Sequence, residues 1–227
     1  MKLTDRVYLV GSGSSGVSLT DDFDCNVYLL DGGSEAALID AGGGRDIPAI
    51  IKNIQDDGIP LARIRYLLLT HGHADHSAGA ARLRESLGLQ VLAANDIANF
   101  LRQGDESGIS LDLAKKAGIY PPDFCFPACP VDVELAEDQR IIIGDCELKV
   151  METPGHAAGC LSFLMERSGK QYLFSGDVVF YGGLVALQNI PDCDLQAYIR
   201  SIQRLAGLSV DVFLPGHLGF SLKNGQR

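Results

Sequence analysis

Apolar positions along the chain gather into short runs punctuated by glycine, proline and acidic residues, and the period of those runs alternates. The stretches 7–10, 26–30, 36–39 and 64–69 are short, mostly apolar and bounded by turn residues, so each predicts a strand. Asp31-Gly32-Gly33-Ser34 joins the second and third as a hairpin-type turn. Residues 48–55 predict a helix, because Ile47, Ile50, Ile51 and Ile54 recur on one face. A second helical pattern begins at Ser77 and carries Leu83 and Leu87 on one face. It is followed by a strand at 90–93 and helical stretches at 96–102 and 111–117. A strand-rich second half (140–143, 147–151, 161–165 and 172–174) leads to a helix over 195–205 and a strand at 212–214. With no low-complexity linker and no internal repeat, this alternation predicts one α/β domain over 1–227. Its helical and aromatic insertion lies at about 95–130.

Composition narrows the setting. A chain of 227 residues that is 46% hydrophobic has enough apolar surface for a large core. Its net charge of −10, from 19 basic and 29 acidic side chains, repels phosphate backbones, so no nucleic-acid partner is expected. No apolar run nears the ~20 residues that cross a bilayer, and Met1 to Arg6 lead into no secretory signal. The six cysteines lack dense disulfide spacing. A cytoplasmic protein without a membrane partner is the expectation.

The chemistry is concentrated in the histidines. His71, His73 and His76 share one run with Asp75, His71-Gly72-His73-Ala74-Asp75-His76, and His156 and His217 each close a Pro-Gly-His tripeptide. Imidazoles and carboxylates are the ligands that zinc, iron and manganese accept, and four such groups in six residues repel or desolvate one another without a cation. The run leaves the strand that ends at Thr70 and enters a helix. Alternation therefore sends His71 and His73 to one side, while Asp75 and His76 project from the turn, so one loop can supply two ligand groups.

This run matches the His-x-His-x-Asp-His signature of the metallo-β-lactamase superfamily at every position. Thr153-Pro154-Gly155-His156, Ser175-Gly176-Asp177 and Pro215-Gly216-His217 follow in that family's order. The chain thus resembles a metallo-β-lactamase superfamily hydrolase of the glyoxalase II-like group, from Leu38-Ile39-Asp40-Ala41-Gly42 to His217. The resemblance implies a four-layer αββα sandwich with two divalent transition metals, zinc first, with iron or manganese as alternatives. His71, His73 and His156 would hold one ion, Asp75, His76 and His217 the second, and Asp177 would bridge them. Asp40, at the end of a core strand, would accept hydrogen bonds from the ligand loop and orient an imidazole, or serve as a plain turn residue.

Such a centre would hydrolyse a small thioester, ester or lactone with a metal-bridging hydroxide, Asp75 handling the proton. Only ten residues follow His217, where glutathione-specific relatives carry a helical domain, so a glutathione thioester is not the expected substrate. Tyr181, four residues beyond Asp177, is a candidate catalytic phenol of the lactonase kind. Cys160 in Gly155-His156-Ala157-Ala158-Gly159-Cys160 resembles a mononuclear iron persulfide dioxygenase. That activity and a β-lactamase-like amide hydrolase are the alternatives. The insertion residues Phe100, Ile109, Leu113, Tyr120, Phe124 and Phe126 could line a small-molecule pocket, fill core or form a homodimer contact.

Two further motifs are set aside. Gly11-Ser12-Gly13-Ser14-Ser15-Gly16 spells a dinucleotide fingerprint, but no helical pattern follows it, so it reads as a loop at the site mouth. Cys125 and Cys129 are too far apart for a Cys-x-x-Cys redox pair.

Overall fold

A computed structural model describes residues 1–226. Two sheets stack face to face. The first has the order β1 (Val7–Gly11), β2 (Val27–Asp31), β3 (Ala36–Ile39), β4 (Ile64–Leu68), β5 (Gln90–Ala94) and β6 (Val133–Leu135). Its early strands pair antiparallel and β3 to β6 pair parallel. The second sheet comprises β7 (Arg140–Ile143), β8 (Cys146–Glu152), β9 (Leu161–Arg167), β10 (Lys170–Gly176) and β11 (Val212–Pro215), with only β10 and β11 parallel.

Helices cover the outer faces. On the first sheet, α1 (Ile47–Asp56) lies on β1, α3 (Ala80–Leu87) on β4 and β5, and α4 (Asn95–Gln103) on β5 and β6. On the second, α6 (Leu195–Ala206) packs through Tyr198 and Leu205 onto Met151, Leu173 and Phe213. The alternation of β10 shows why both faces need cover. Tyr172 and Phe174 join the core between the sheets, whereas Leu173 joins the cluster under α6. Tyr28 of the first sheet meets Phe174 of the second edge to face, with ring centroids 5.6 Å apart. The layers therefore run helix, sheet, sheet, helix, the expected αββα order. Among the described residues no helix is long and apolar enough to cross a membrane.

Most predicted elements are present, with shifted ends. Asp46 caps α1 by accepting from the Ala49 amide at 3.1 Å, which starts that helix one residue early. The helix expected from Ser77 is two pieces, α2 (Ala74–Ser77) and α3, broken at Ala78-Gly79. Three-residue β6 had no clear signal. It matters because it makes the expected insertion a crossover between parallel neighbours β5 and β6, through α4 and α5 (Leu111–Lys116). No helix follows the glycine-rich stretch 11–16, as its pattern predicted; the next helix is α1. Cys125 is exposed, Cys129 buried, and all six cysteines are free thiols.

The helix break has a steric cause. A Cβ on Gly79 would stand 2.1 Å from the Ala41 carbonyl oxygen, and the Gly79 amide already donates to Gly42 O at 3.0 Å. The turn after β3 and the start of α3 are thus in backbone contact. Gly79→Ala should cost about 2 kcal/mol or more in urea unfolding, since backbone must move to admit the methyl. A loss under roughly 0.5 kcal/mol, the range of surface substitutions, would mean that the contact is loose.

Candidate metal centre

All the candidate ligands lie where strands end. The run from His71 follows β4, with Ser77 Oγ donating to Gly72 O at 2.7 Å and to His73 O at 3.0 Å to fix the loop over α2. His156 sits on the turn between β8 and β9, Asp177 just beyond β10, and His217 just beyond β11. Backbone bonds knit these ends together: Leu161 N to Thr70 O at 2.7 Å, Asn26 N to Gly216 O at 2.6 Å, and Gly216 N to Gly176 O at 2.9 Å. The His156 turn is seated on α6. Ser201 Oγ donates to Pro154 O at 2.7 Å, and Gly155, at φ 137°, has no room for a Cβ against the Tyr198 backbone. Tyr198 also donates its hydroxyl to Asp177 O at 2.9 Å.

Two ligand groups result. In the first, His71, His73 and His156 converge, with His156 Nε2 3.1 Å from His73 Nδ1. In the second, His217 Nε2 stands 3.2 Å from His76 Nε2 and 3.0 Å from Asp75 Oδ2. Asp177 lies between them, Oδ2 being 3.6 Å from His156 Nε2 and 3.4 Å from His217 Nε2, with Oδ1 3.3 Å from His76 Nε2. Tetrahedral ligands at ~2.0–2.1 Å from an ion stand about 3.3 Å from one another, so these separations are those of a ligand shell.

The hydrogen-bond network gives an independent test of fit. Thr70 Oγ1 donates to Asp40 Oδ2 at 2.9 Å, so at 3.1 Å from His71 Nδ1 it can only accept. That assigns the His71 proton to Nδ1 and leaves Nε2 a bare lone pair, buried and without a hydrogen-bond partner. His76 likewise donates from Nδ1 to Asp40 Oδ2 at 2.8 Å, which turns its Nε2 lone pair towards His217 and Asp177. Buried lone pairs aimed at one another are stable only around a cation, so the residues fit divalent metal.

A family model described as the metallo-beta-lactamase superfamily matches residues 20–217. The chain belongs to that superfamily. It is 33% identical over 197 residues to "Hydroxyacylglutathione hydrolase" of Anaeromyxobacter dehalogenans, covering 86% of this chain and 61% of that protein's length. It is 32% identical over 208 residues to "Acyl-coenzyme A thioesterase MBLAC2" of Gallus gallus, covering 85% and 72%. Among solved structures, a metallo-beta-lactamase of Cronobacter sakazakii superposes with a TM-score of 0.75 at 28% identity, covering 96% of this chain and 80% of that one. The subclass B3 enzyme BJP-1 of Bradyrhizobium japonicum gives 0.75 at 25%, covering 96% and 76%.

In this superfamily member the ligands open into a cleft of about 1260 Å³ whose lining includes His73, Asp75, His156, Asp177 and His217. Tyr181 is placed otherwise than expected. Its side chain is 52% exposed on the turn Tyr181–Gly183 and lies outside the cleft lining. The preceding Phe180 turns inward instead, its ring 6.0 Å from that of His217, and successive side chains on extended backbone face opposite ways. The phenol that does line the cleft is Tyr120, from the insertion. Burial first, and the adjacent Asp75 carboxylate second, push its pKa up. Of the other insertion aromatics, Phe124 and Phe126 are core.

Asp192 was not legible in the sequence as a site residue. Its Oδ2 is 3.2 Å from His73 Nε2 and its Oδ1 accepts from Ser110 Oγ at 2.6 Å, which orients His73 with Nδ1 towards the first ligand group. Its one sequence cue is a carboxylate between Asp177 and α6.

The electrostatics divide the histidines. Burial pushes His71 down and His156 down to about 4, leaving both neutral as ligands must be. Burial also opposes charge on His217, but Asp177 and then Asp75 outweigh it and raise the group to about 10. Asp24, buried beside the cleft, is raised to about 6 by burial against the pull of Thr20 and Gly43.

Two predictions follow from these contacts. Asp40→Asn should weaken binding at the Asp75, His76 and His217 group by ~10–100-fold in chelator competition. Unchanged affinity would restrict Asp40 to holding backbone. Because the Asp24 pKa is raised on folding, the folded state keeps a proton that the unfolded chain loses, so stability should fall as pH rises from about 4 to about 6 and then level off. Asp24→Asn should remove most of that fall, on the order of 2–3 kcal/mol by urea unfolding. A fall of equal size in the variant would exclude Asp24 as its source.

Proposed function

We propose that the protein hydrolyses acyl thioesters at a dinuclear metal centre held by His71, His73 and His156, by Asp75, His76 and His217, and by Asp177 between them. The observation that carries this reading is that His71, His73 and His156 converge, that Asp75, His76 and His217 converge, and that both groups reach one cleft, through His73 and His156 and through Asp75 and His217. A mononuclear dioxygenase would make no use of Asp75, His76 and His217 as a second ligand group. Thioester hydrolysis is the activity for which the relatives at 33% and 32% identity are named.

When bound, divalent ions supply a Lewis acid for the carbonyl and lower the pKa of an attacking water towards ~7. The chain's own residues do the rest. Asp75, whose pKa is held down by His76 and His217 against the effect of burial, stays a carboxylate facing the cleft and is placed to accept the proton of the attacking water. A thiolate departs without prior protonation, unlike the amine of an amide or β-lactam, so a thioester asks no proton donor of the site. Asp192 and Asp40 keep the imidazoles in the tautomers that ligation needs.

Elemental analysis of untagged protein after zinc supplementation should give two ions per chain, and one ion per chain would reject the dinuclear centre. Thiol release from a thioester panel should exceed turnover of a lactone and a β-lactam. His71→Ala and Asp177→Ala should reduce it to background while circular dichroism retains the folded spectrum, because the core is built from strands that do not need the metal. Substantial thiol release by either variant would place the chemistry elsewhere.

A further inference from the structure

The cleft has two walls of different origin, and both are apolar. Ile109, Leu113 and Ile119 come from the crossover between β5 and β6, while Leu184, Val185 and Ile190 come from the stretch between Asp177 and α6. Leu113 is 37% exposed, Ile119 65%, Leu184 58% and Val185 41%. Single exposed aliphatic side chains are ordinary on a protein surface, but a set lining one cleft marks a surface that a ligand covers. The same cleft is lined by His73, Asp75, His156, Asp177 and His217, so whatever the aliphatic residues cover is continuous with the group that reacts.

Charge narrows the occupant. Among the described residues lining the cleft there is no lysine or arginine, and the carboxylates beyond the candidate ligands are Asp22 and Asp24. A carboxylate carried into this cleft away from its floor would meet no counter-ion and two like-charged neighbours.

We propose that the two walls form an acyl-chain groove, and that the substrate is a thioester of an aliphatic acyl group with no charge at its far end. The inference rests on the thioester reading above. Leu113 and Leu184 are its specificity residues, one on each wall.

The zinc-loaded protein tests it with N-acetylcysteamine thioesters of acetyl, hexanoyl, adipoyl and decanoyl groups, adipoyl being the hexanoyl length ended by a carboxylate. Each methylene buried between the walls should raise kcat/KM about two- to fourfold up to hexanoyl. Adipoyl should fall at least tenfold below hexanoyl. Leu113→Asp and Leu184→Asp should each lower the decanoyl-to-acetyl ratio of kcat/KM at least tenfold with zinc content unchanged. The non-hydrolysable ketone analogues, with a methylene between sulfur and carbonyl, report binding by calorimetry without turnover. Binding that strengthens with chain length while no thioester is cleaved would uphold the groove and reject the thioester reading. Cleavage that is indifferent to chain length, or adipoyl turned over as fast as hexanoyl, would overturn the groove and leave the hydrolase reading standing.

Discussion

The candidate metal centre is registered against one buried carboxylate. Asp40 ends β3 with its backbone in the left-handed region, at φ 63°, a conformation that costs a non-glycine residue on the order of 1 kcal/mol. Three hydrogen bonds offset that cost: from Thr70 N at 2.8 Å, from Thr70 Oγ1 at 2.9 Å, and from His76 Nδ1 at 2.8 Å. Bonds to a charged acceptor in a dry interior are among the stronger ones a protein makes. Through them the ends of β3 and β4 and the short helix α2 are held to a common point. The proton position of His76 is set directly, and that of His71 at one remove through Thr70. Two ligands in different groups therefore share one reference.

The surroundings of that reference separate rigidity from charge. Backbone bonds between strand ends fix where His156, Asp177 and His217 begin, and α6 holds the first two in place through Ser201 and Tyr198. The carboxylates Asp75 and Asp177 then decide what sits between the imidazoles. They call for positive charge near His76 and His217, whereas the deeper His71 and His156 are kept neutral by burial. A divalent ion answers both demands, since it supplies the charge and accepts neutral nitrogen.

Much of this was legible in the sequence, for a physical reason. Candidate ligands carried on one loop leave a fixed spacing and an apolar run before them, so His71 to His76 stood out from the residues themselves, whereas the set with His156, Asp177 and His217 came from the resemblance of their motifs. The alternation of strands and helices fitted the layers that the resemblance implied. What resisted reading depends on contacts between distant segments. Asp192 reaches His73 across 119 positions of chain, and nothing near it in sequence announces a partner. Tyr181 was singled out by its distance from Asp177, but distance along the chain does not say which way a side chain turns, and Phe180 took the inward place. The edge strand β6 is too short to show a period, so the segment before it read as an insertion between two halves when it is a crossover within one sheet.

That crossover leaves the sheet at β5 and returns at its parallel neighbour β6, and none of the seven candidate ligands lies on it. Among the described residues it reaches the candidate ligand side chains through the Ser110 bond to Asp192 and through Tyr120, which stands beside Asp75. One side of the proposed groove is thereby written on a stretch of chain separable from the candidate ligands. A lineage could exchange the segment for one of another length or polarity, keep the reacting centre whole, and in one recombination event acquire a different diet.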